Sequence, residues 1–149
     1  MEEKRADAGL AFMLQYENVA WYDGGSVRIL DRRVYPARTE FVTCHTHGEV
    51  AQAIADMVTQ SAGPYTAAAM GMALAAYECR GKTERKQLDF LRAAAETIST
   101  ARPTTASRMR LICEGCLRAA ERALASGEPA RNEANDERDI AIWKRGVTL

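Results

Sequence analysis

The sequence lacks an excess of either charge, because 20 Lys and Arg residues balance 20 Asp and Glu residues and the formal net charge is zero. A nucleic-acid-binding protein usually carries a basic excess, so the balance argues against nucleic acid as a partner. The sequence also lacks an apolar run of membrane length. The apolar patch 10–14, which follows a charged leader, is too short for a signal-peptide core. We therefore expect a cytoplasmic protein with no membrane partner.

Residues that bind soft metals are few, since the chain has two histidines and four cysteines. Both histidines lie in the segment 44–47, where strand alternation sends Cys44 and His45 to opposite faces and no third histidine completes a shell. Cys113 and Cys116 have C-x-x-C spacing, but they lie in a long amphipathic helix, which favours small core residues over a redox or zinc pair. We expect no metal site and reduced thiols rather than a disulfide framework.

The sequence contains no nucleophilic triad, no phosphate-binding loop of the G-x-x-x-x-G-K form and no dinucleotide fingerprint. Two helix entrances remain as candidate sites. The segments 60–66 and 100–105 each place small or hydroxylic residues before a predicted helix, where backbone amides are free to bind an anion. The second segment adds Arg102, whose guanidinium can bind a phosphate bidentately. Such segments are commonly only helix caps, so both interpretations stay open.

A small sheet is predicted near the N-terminus. Strands over 19–22 and 27–30 flank the turn Asp23-Gly24-Gly25-Ser26, and β-branched and aromatic residues around a glycine-rich turn are typical of a hairpin. A third strand is predicted over 39–44, after the breaker Pro36.

The pattern becomes helical at Thr46. Thr46 and Glu49 have the spacing of a capping box, and the helix that follows is predicted to end near Gln60. Its apolar stripe comprises Val50, Ile54, Met57 and Val58.

Four further helices are predicted from the spacing of apolar residues. The first is so rich in alanine that it must be buried and closely approached by its neighbours. The four helices span residues 65–79, 83–97, 104–126 and 131–145.

These elements predict an α+β fold, in which a small N-terminal antiparallel sheet is followed by a mostly helical bundle. The domain is expected over 19–146, after an N-terminal extension at 1–18. The β-prone residues 147–149 are interpreted as the start of a missing C-terminal domain. We expect exposed apolar surface around Ile140 and Trp143, where that domain or a dimer partner would dock.

The ordered segments also carry a family resemblance. They are Trp21-Tyr22-Asp23-Gly24-Gly25-Ser26-Val27-Arg28-Ile29-Leu30-Asp31, Val42-Thr43-Cys44, the stretch 57–74 and Ala101-Arg102-Pro103-Thr104. Their order resembles the N-terminal domain of S-methyl-5-thioribose-1-phosphate isomerases. That family belongs to a superfamily with ribose-1,5-bisphosphate isomerase and the regulatory subunits of eukaryotic initiation factor 2B.

The resemblance implies an aldose–ketose isomerase of methionine salvage that uses no metal or redox cofactor. It implies a Rossmann-like C-terminal domain, absent here, which would hold the catalytic Cys and Asp beyond Leu149. This chain would then contribute no catalytic residue and would be inactive alone, and the complete protein would be a homodimer. The residues that the resemblance assigns to the sugar-phosphate substrate are Gln60, Ser61, Ala62 and Arg102.

One departure from the family leaves a second function open. The isomerases usually have Arg-Gly-Ala where this chain has Gln60-Ser61-Ala62, and losing a guanidinium from a phosphate site removes charge-assisted hydrogen bonds. That change favours a non-catalytic regulatory or sugar-phosphate-sensing subunit. The hairpin at Gly24-Gly25 favours the metabolic branch, because the regulatory subunits begin with helices. A third interpretation is a plain helical interaction module, for which the alanine-rich helices alone would suffice.

Overall fold

The computed structural model describes residues 8–125. The predictions for the helix 131–145, for the strand start 147–149 and for the apolar pair Ile140 and Trp143 lie outside the described residues.

The N-terminal sheet has three antiparallel strands in the order β1-β2-β3. They are β1 (Ala20–Asp23), β2 (Ser26–Leu30) and β3 (Phe41–Cys44). Asp23 pairs with Ser26 across Gly24 and Gly25, whose φ values of 54° and 93° are those of a tight hairpin turn. A Cβ at Gly25 would lie 2.7 Å from the Tyr77 ring, so the turn also requires glycine for space. The predicted sheet is confirmed.

Two short helical segments precede the sheet, a 3₁₀ turn at Phe12–Leu14 and α1 at Tyr16–Val19. The first strand therefore begins one residue later than the predicted 19–22. Four longer helices follow, namely α2 (His47–Ala55), α3 (Gly63–Glu78), α4 (Glu84–Ser99) and α5 (Ala106–Ala125). A 3₁₀ turn at Pro103–Thr105 leads into α5. The predicted α+β class is confirmed.

The end of α2 differs from the prediction. The helix stops at Ala55 rather than near Gln60, because Met57 has a φ of 63°. The N–H of Met57 donates to Ile54 O (3.3 Å) and that of Val58 donates to Ala53 O (3.0 Å), which is the hydrogen-bond pattern of a Schellman motif. Met57 occupies the position that usually holds glycine and is 45% exposed, so it does not belong to the buried stripe.

Helix α3 is the centre of the core. Eleven of its residues are buried, and it packs against β1, β2, α2, α4 and α5. Close approach depends on small side chains, since a Cβ at Gly71 would lie 3.0 Å from both Val50 and Ile98. The predicted burial of this helix is confirmed. None of the helices within 8–125 is both long enough and apolar enough to cross a membrane.

Candidate functional site

The cysteines are core side chains. All four are free and buried, and burial raises the pKa of the Cys44 thiol to about 11 and that of Cys113 to about 12. Burial also raises the pKa of Cys79 and Cys116. Cys113 and Cys116 are therefore protonated at neutral pH, as is usual for thiols buried in a core. Residues 8–125 contain no group of three or more His, Cys, Asp or Glu side chains placed to hold a metal ion.

The helix start at Thr46 is a variant of the predicted capping box. Thr46 Oγ1 accepts the Glu49 N–H at 3.1 Å, as predicted. The Glu49 carboxylate accepts from the N–H of His45 at 3.2 Å, one residue before the position that a capping box uses. His47 follows in the first turn, where its ring contacts Glu78.

The loop between α2 and α3 is the first predicted helix entrance. Two of its carbonyl groups are held by other parts of the chain: Val58 O accepts the Arg32 N–H at 2.7 Å, and Thr59 O accepts from Arg102 Nη2 at 2.9 Å. The next three backbone N–H groups, those of residues 60–62, donate to no acceptor within the described part of the chain. We call residues 60–62 the anion loop. The two carbonyls before the anion loop are therefore bonded, whereas its three amides have no acceptor within residues 8–125.

The backbone of the anion loop forms a tight turn into α3. Ser61 has a φ of 60°, Ala62 follows at φ −85° and ψ −7°, and the Gly63 N–H donates to Gln60 O at 3.0 Å. These φ values and this hydrogen bond are those of a type II′ β-turn. Ser61 and Ala62, its two central residues, are both exposed.

The first turn of α3 adds its dipole but few donors. The Gly63 N–H bonds to Gln60 O at 3.0 Å, Pro64 has no N–H, and the Tyr65 N–H bonds to Ala62 O at 3.2 Å. The free donors therefore lie in the anion loop rather than in the helix. Gly63 is required here because a Cβ would overlap the hydroxyl of the buried Thr59.

Arg102 brings the two predicted entrances together. Its Nη2 donates to Ile54 O at 2.7 Å and to Thr59 O at 2.9 Å, across 48 and 43 residues of sequence. Hydrogen bonds from a charged group of this kind contribute roughly 1.5–3 kcal/mol to stability. Nε is buried and has no acceptor among the residues described. The guanidinium thus joins the end of α2 to the residue that precedes the anion loop.

The other predicted site residue, Gln60, turns back on its own loop, and its side-chain Nε2 donates to Met57 O at 3.1 Å. A further cation lies nearby, since the guanidinium of Arg108 is 5.3 Å from the centre of the Tyr65 ring in the first turn of α3. The sequence analysis did not predict a role for Arg108, because its position near Tyr65 depends on the tertiary packing of α5 against α3.

The second predicted entrance, 100–105, has the hydrogen bonds of a 3₁₀ turn. The N–H and the hydroxyl of Thr105 both donate to Arg102 O at 3.2 Å, and the Ala106 N–H donates to Pro103 O. Its contribution to the candidate site is the Arg102 side chain.

Known proteins resemble this chain in sequence and in structure. No family model matches the chain. It is 33% identical over 144 residues to the methylthioribose-1-phosphate isomerase of Pseudomonas putida strain GB-1, covering 86% of this chain and 38% of that protein. It is 35% identical over 92 residues to the same enzyme of Thermotoga maritima, covering 61% of this chain and 26% of that protein. The chain is therefore similar in sequence to methylthioribose-1-phosphate isomerases.

The chain spans about two fifths, 38%, of the length of the first of these isomerases. Solved structures agree on the fold. Subunit delta of the translation initiation factor eIF-2B from A. fulgidus matches with a TM-score of 0.67 and 26% identity, covering 88% of this chain and 35% of that one. The 5-methylthioribose 1-phosphate isomerase of Pyrococcus horikoshii matches with a TM-score of 0.62 at 23% identity and the same two coverages. The superfamily resemblance drawn from the sequence is confirmed.

Proposed function

We propose that this chain is the phosphate-binding part of an aldose–ketose isomerase that converts S-methyl-5-thioribose 1-phosphate to S-methyl-5-thioribulose 1-phosphate. The observation that carries the proposal is the set of three consecutive amides at residues 60–62 that donate to no acceptor within residues 8–125, near the Arg102 guanidinium and the positive end of α3. A phosphate monoester suits such a site because it accepts several hydrogen bonds and carries the charge that a helix N-terminus favours. The isomerases to which the chain is similar act on a sugar phosphate by name.

The chemistry of isomerisation requires more than this loop. Moving a proton between adjacent carbons needs a positioned acid and base. The cysteines of this chain are buried with raised pKa values, so none provides an acidic thiol. We propose that the acid–base pair belongs to a further domain and that the 149-residue chain binds substrate without turning it over. In this arrangement the anion loop contributes orientation, which holds the reacting carbons in place.

The test is a titration of the 149-residue chain with S-methyl-5-thioribose 1-phosphate, followed through the backbone amide resonances of residues 60–62. S-methyl-5-thioribose without phosphate is the matched ligand control. Saturable shifts with the phosphate ester alone support the proposal. Shifts of equal size with both ligands, or none at all, refute it. Ketose formation by the purified chain would refute the proposed lack of turnover.

A second candidate function is a non-catalytic subunit that senses a sugar phosphate. Gln60 favours it, because a neutral side chain bonded back to Met57 O contributes no charge to the ligand. The two functions differ in what the complete protein does. Binding without turnover by a protein extended past Leu149 supports the sensing subunit, and turnover excludes it.

We further propose that the complete protein is a cytoplasmic homodimer. Four unpaired buried cysteines suit a reducing compartment, and the resemblance to the isomerases supports the dimer. Light scattering of the complete protein tests the proposed homodimer, and a monomeric mass would contradict it.

A further inference from the structure

We propose that Arg108 is a further phosphate-binding residue of this site, and that its guanidinium takes the place of the one that the family resemblance implies where this chain has Gln60. This inference rests on the proposed function, because it takes residues 60–62 as the place where the phosphate binds. The substrate contact that the resemblance implies for Arg102 is left unchanged.

The contact between Arg108 and Tyr65 is the first observation that supports the inference. The guanidinium carbon lies 5.3 Å from the centre of the Tyr65 ring. Tyr65 lies in the first turn of α3, and its N–H donates to Ala62 O at 3.2 Å, so the ring belongs to the turn that directly follows the anion loop. Side chains on a helix lean toward its N-terminus, which for Tyr65 is the direction of the anion loop. The contact therefore holds the Arg108 charge at the end of α3 where the three amides lie.

The N–H donors of Arg108 are the second observation. The side chain is exposed and is paired with no carboxylate within residues 8–125. A cation–π contact is an attraction between the charge and the ring face, and it uses no N–H donor. Arg110 of the same helix differs, because its guanidinium donates two hydrogen bonds to Glu96, at 2.8 Å and 3.1 Å. Arg108 thus keeps a planar fork of donors that matches the geometry of a phosphate.

The place of Arg108 in α5 is the third observation. It lies in the first turn of that helix, where the helix dipole disfavours a cation, and the turn has no acidic residue to offset the charge. Departures from a local rule of this kind are expected at functional sites. The negative charge of a phosphate at the anion loop would offset the arginine. Gln60 supplies no charge there, since its side chain donates to Met57 O.

The test compares two variants of the 149-residue chain that lose the same charge. Arg108→Gln should weaken binding of S-methyl-5-thioribose 1-phosphate about tenfold in isothermal titration, the effect of losing one charge-assisted hydrogen bond. It should also reduce the salt dependence of binding. Arg118→Gln is the matched control, because it removes an exposed arginine from the same helix. Arg118 lies about 15 Å further along the axis of α5, where salt screens its charge, so affinity should stay within about twofold.

The control also separates binding from stability. Arg108→Gln should not lower the midpoint of thermal unfolding, because it removes a cation from the positive end of α5. Arg108→Lys keeps the charge without the planar fork and should weaken binding less than Arg108→Gln. Affinity that is unchanged in Arg108→Gln, or reduced equally in Arg108→Gln and Arg118→Gln, overturns the inference.

A rescue experiment tests whether Arg108 replaces a guanidinium at position 60. Gln60→Arg in the Arg108→Gln background should return the affinity to about that of the unchanged chain, because one guanidinium is again available to the phosphate. Failure of this second substitution to raise the affinity of Arg108→Gln contradicts the proposed replacement. If the ligand shifts the amide resonances of residues 60–62 but Arg108→Gln binds it as tightly as the unchanged chain, only the role of Arg108 is refuted. If the ligand shifts none of these resonances in the unchanged chain, the proposed function fails and the inference fails with it.

Discussion

His47 Nδ1 and Glu78 Oε2 lie 2.5 Å apart, and the same carboxylate oxygen accepts the backbone N–H of His47 at 3.1 Å. One side chain at the end of α3 therefore satisfies both the ring and an otherwise open amide in the first turn of α2. The ring also meets Phe90 of α4 edge-on, with ring centres 5.3 Å apart. Three helices meet at this contact, which has a structural role.

The contact predicts a measurable coupling between two substitutions. His47→Ala and Glu78→Gln should each lower the free energy of unfolding by about 1–2 kcal/mol, and the double variant should lose about 1 kcal/mol less than their sum. Urea unfolding of the four proteins gives the coupling directly. His45→Ala is the control, since His45 is exposed two residues away and its removal should change stability by less than about 0.5 kcal/mol. Additive effects of the two substitutions would show that the pair does not stabilise the fold.

Two glycines with open surroundings, Gly115 and Gly81, should respond differently to alanine because their backbone conformations differ. Gly115 lies within α5 and a Cβ there would meet nothing within 4 Å, so Gly115→Ala should raise the free energy of unfolding by about 0.5–1 kcal/mol. Gly81 is equally open, but its φ of 82° is one that alanine rarely adopts. Gly81→Ala should therefore lower stability by about 1 kcal/mol. Thermal unfolding of both variants tests the pair, and changes of equal sign would contradict this account.

Gly63 is required for packing against Thr59. Gly63→Ala would place a Cβ on the Thr59 hydroxyl, and we expect a loss of about 1–3 kcal/mol in the free energy of unfolding. Thr59→Ala removes that oxygen, after which the two substitutions together should cost less than Gly63→Ala alone. Chemical denaturation of the single and double variants measures this. The interpretation is wrong if the double variant is the least stable of the three.

The buried thiols predict a loss of stability at alkaline pH. Burial raises the pKa of Cys44 to about 11 and that of Cys113 to about 12 from a usual value of 9.0. Above pH 9 the unfolded chain releases these protons and the folded chain does not, so ionisation favours unfolding. Below pH 9 both states are protonated and these groups add no pH dependence.

We therefore expect the free energy of unfolding to fall from about pH 9 up to the folded pKa values, by about 1.4 kcal/mol per pH unit for each fully linked thiol. Urea unfolding between pH 7.5 and pH 10.5 measures the slope. Cys113→Ala serves as the matched control, because it removes one thiol and should reduce the slope above pH 9 relative to the unchanged chain. If Cys113→Ala leaves the slope of the free energy of unfolding against pH unchanged, Cys113 does not contribute to the alkaline loss of stability.

Local signals made much of the fold predictable. The hairpin follows from Gly24-Gly25 between apolar strands, and the start of α2 follows from the Thr46 cap. The end of α2 was missed because a Schellman motif usually has glycine where this chain has Met57. At the candidate site, the loop could be located from its small residues and from the family resemblance. The backbone contacts of Arg102 could not, because its acceptors, Ile54 O and Thr59 O, lie 48 and 43 residues away in the sequence.

Gln60 offers the most direct test of whether the anion loop binds a ligand. Its Nε2 donates to Met57 O at 3.1 Å and supplies no charge, whereas the family resemblance implies an arginine at this position. Gln60→Arg adds a guanidinium next to three amides that have no acceptor within residues 8–125, so phosphate-ester affinity should rise about tenfold, as expected for one charge-assisted bond. Gln60→Lys adds the same charge without the planar fork and should give a smaller gain. Isothermal titration with S-methyl-5-thioribose 1-phosphate measures both. If affinity is the same in all three proteins, the segment is only the cap of α3, and the sensing and isomerase proposals both lose the loop as their ligand site.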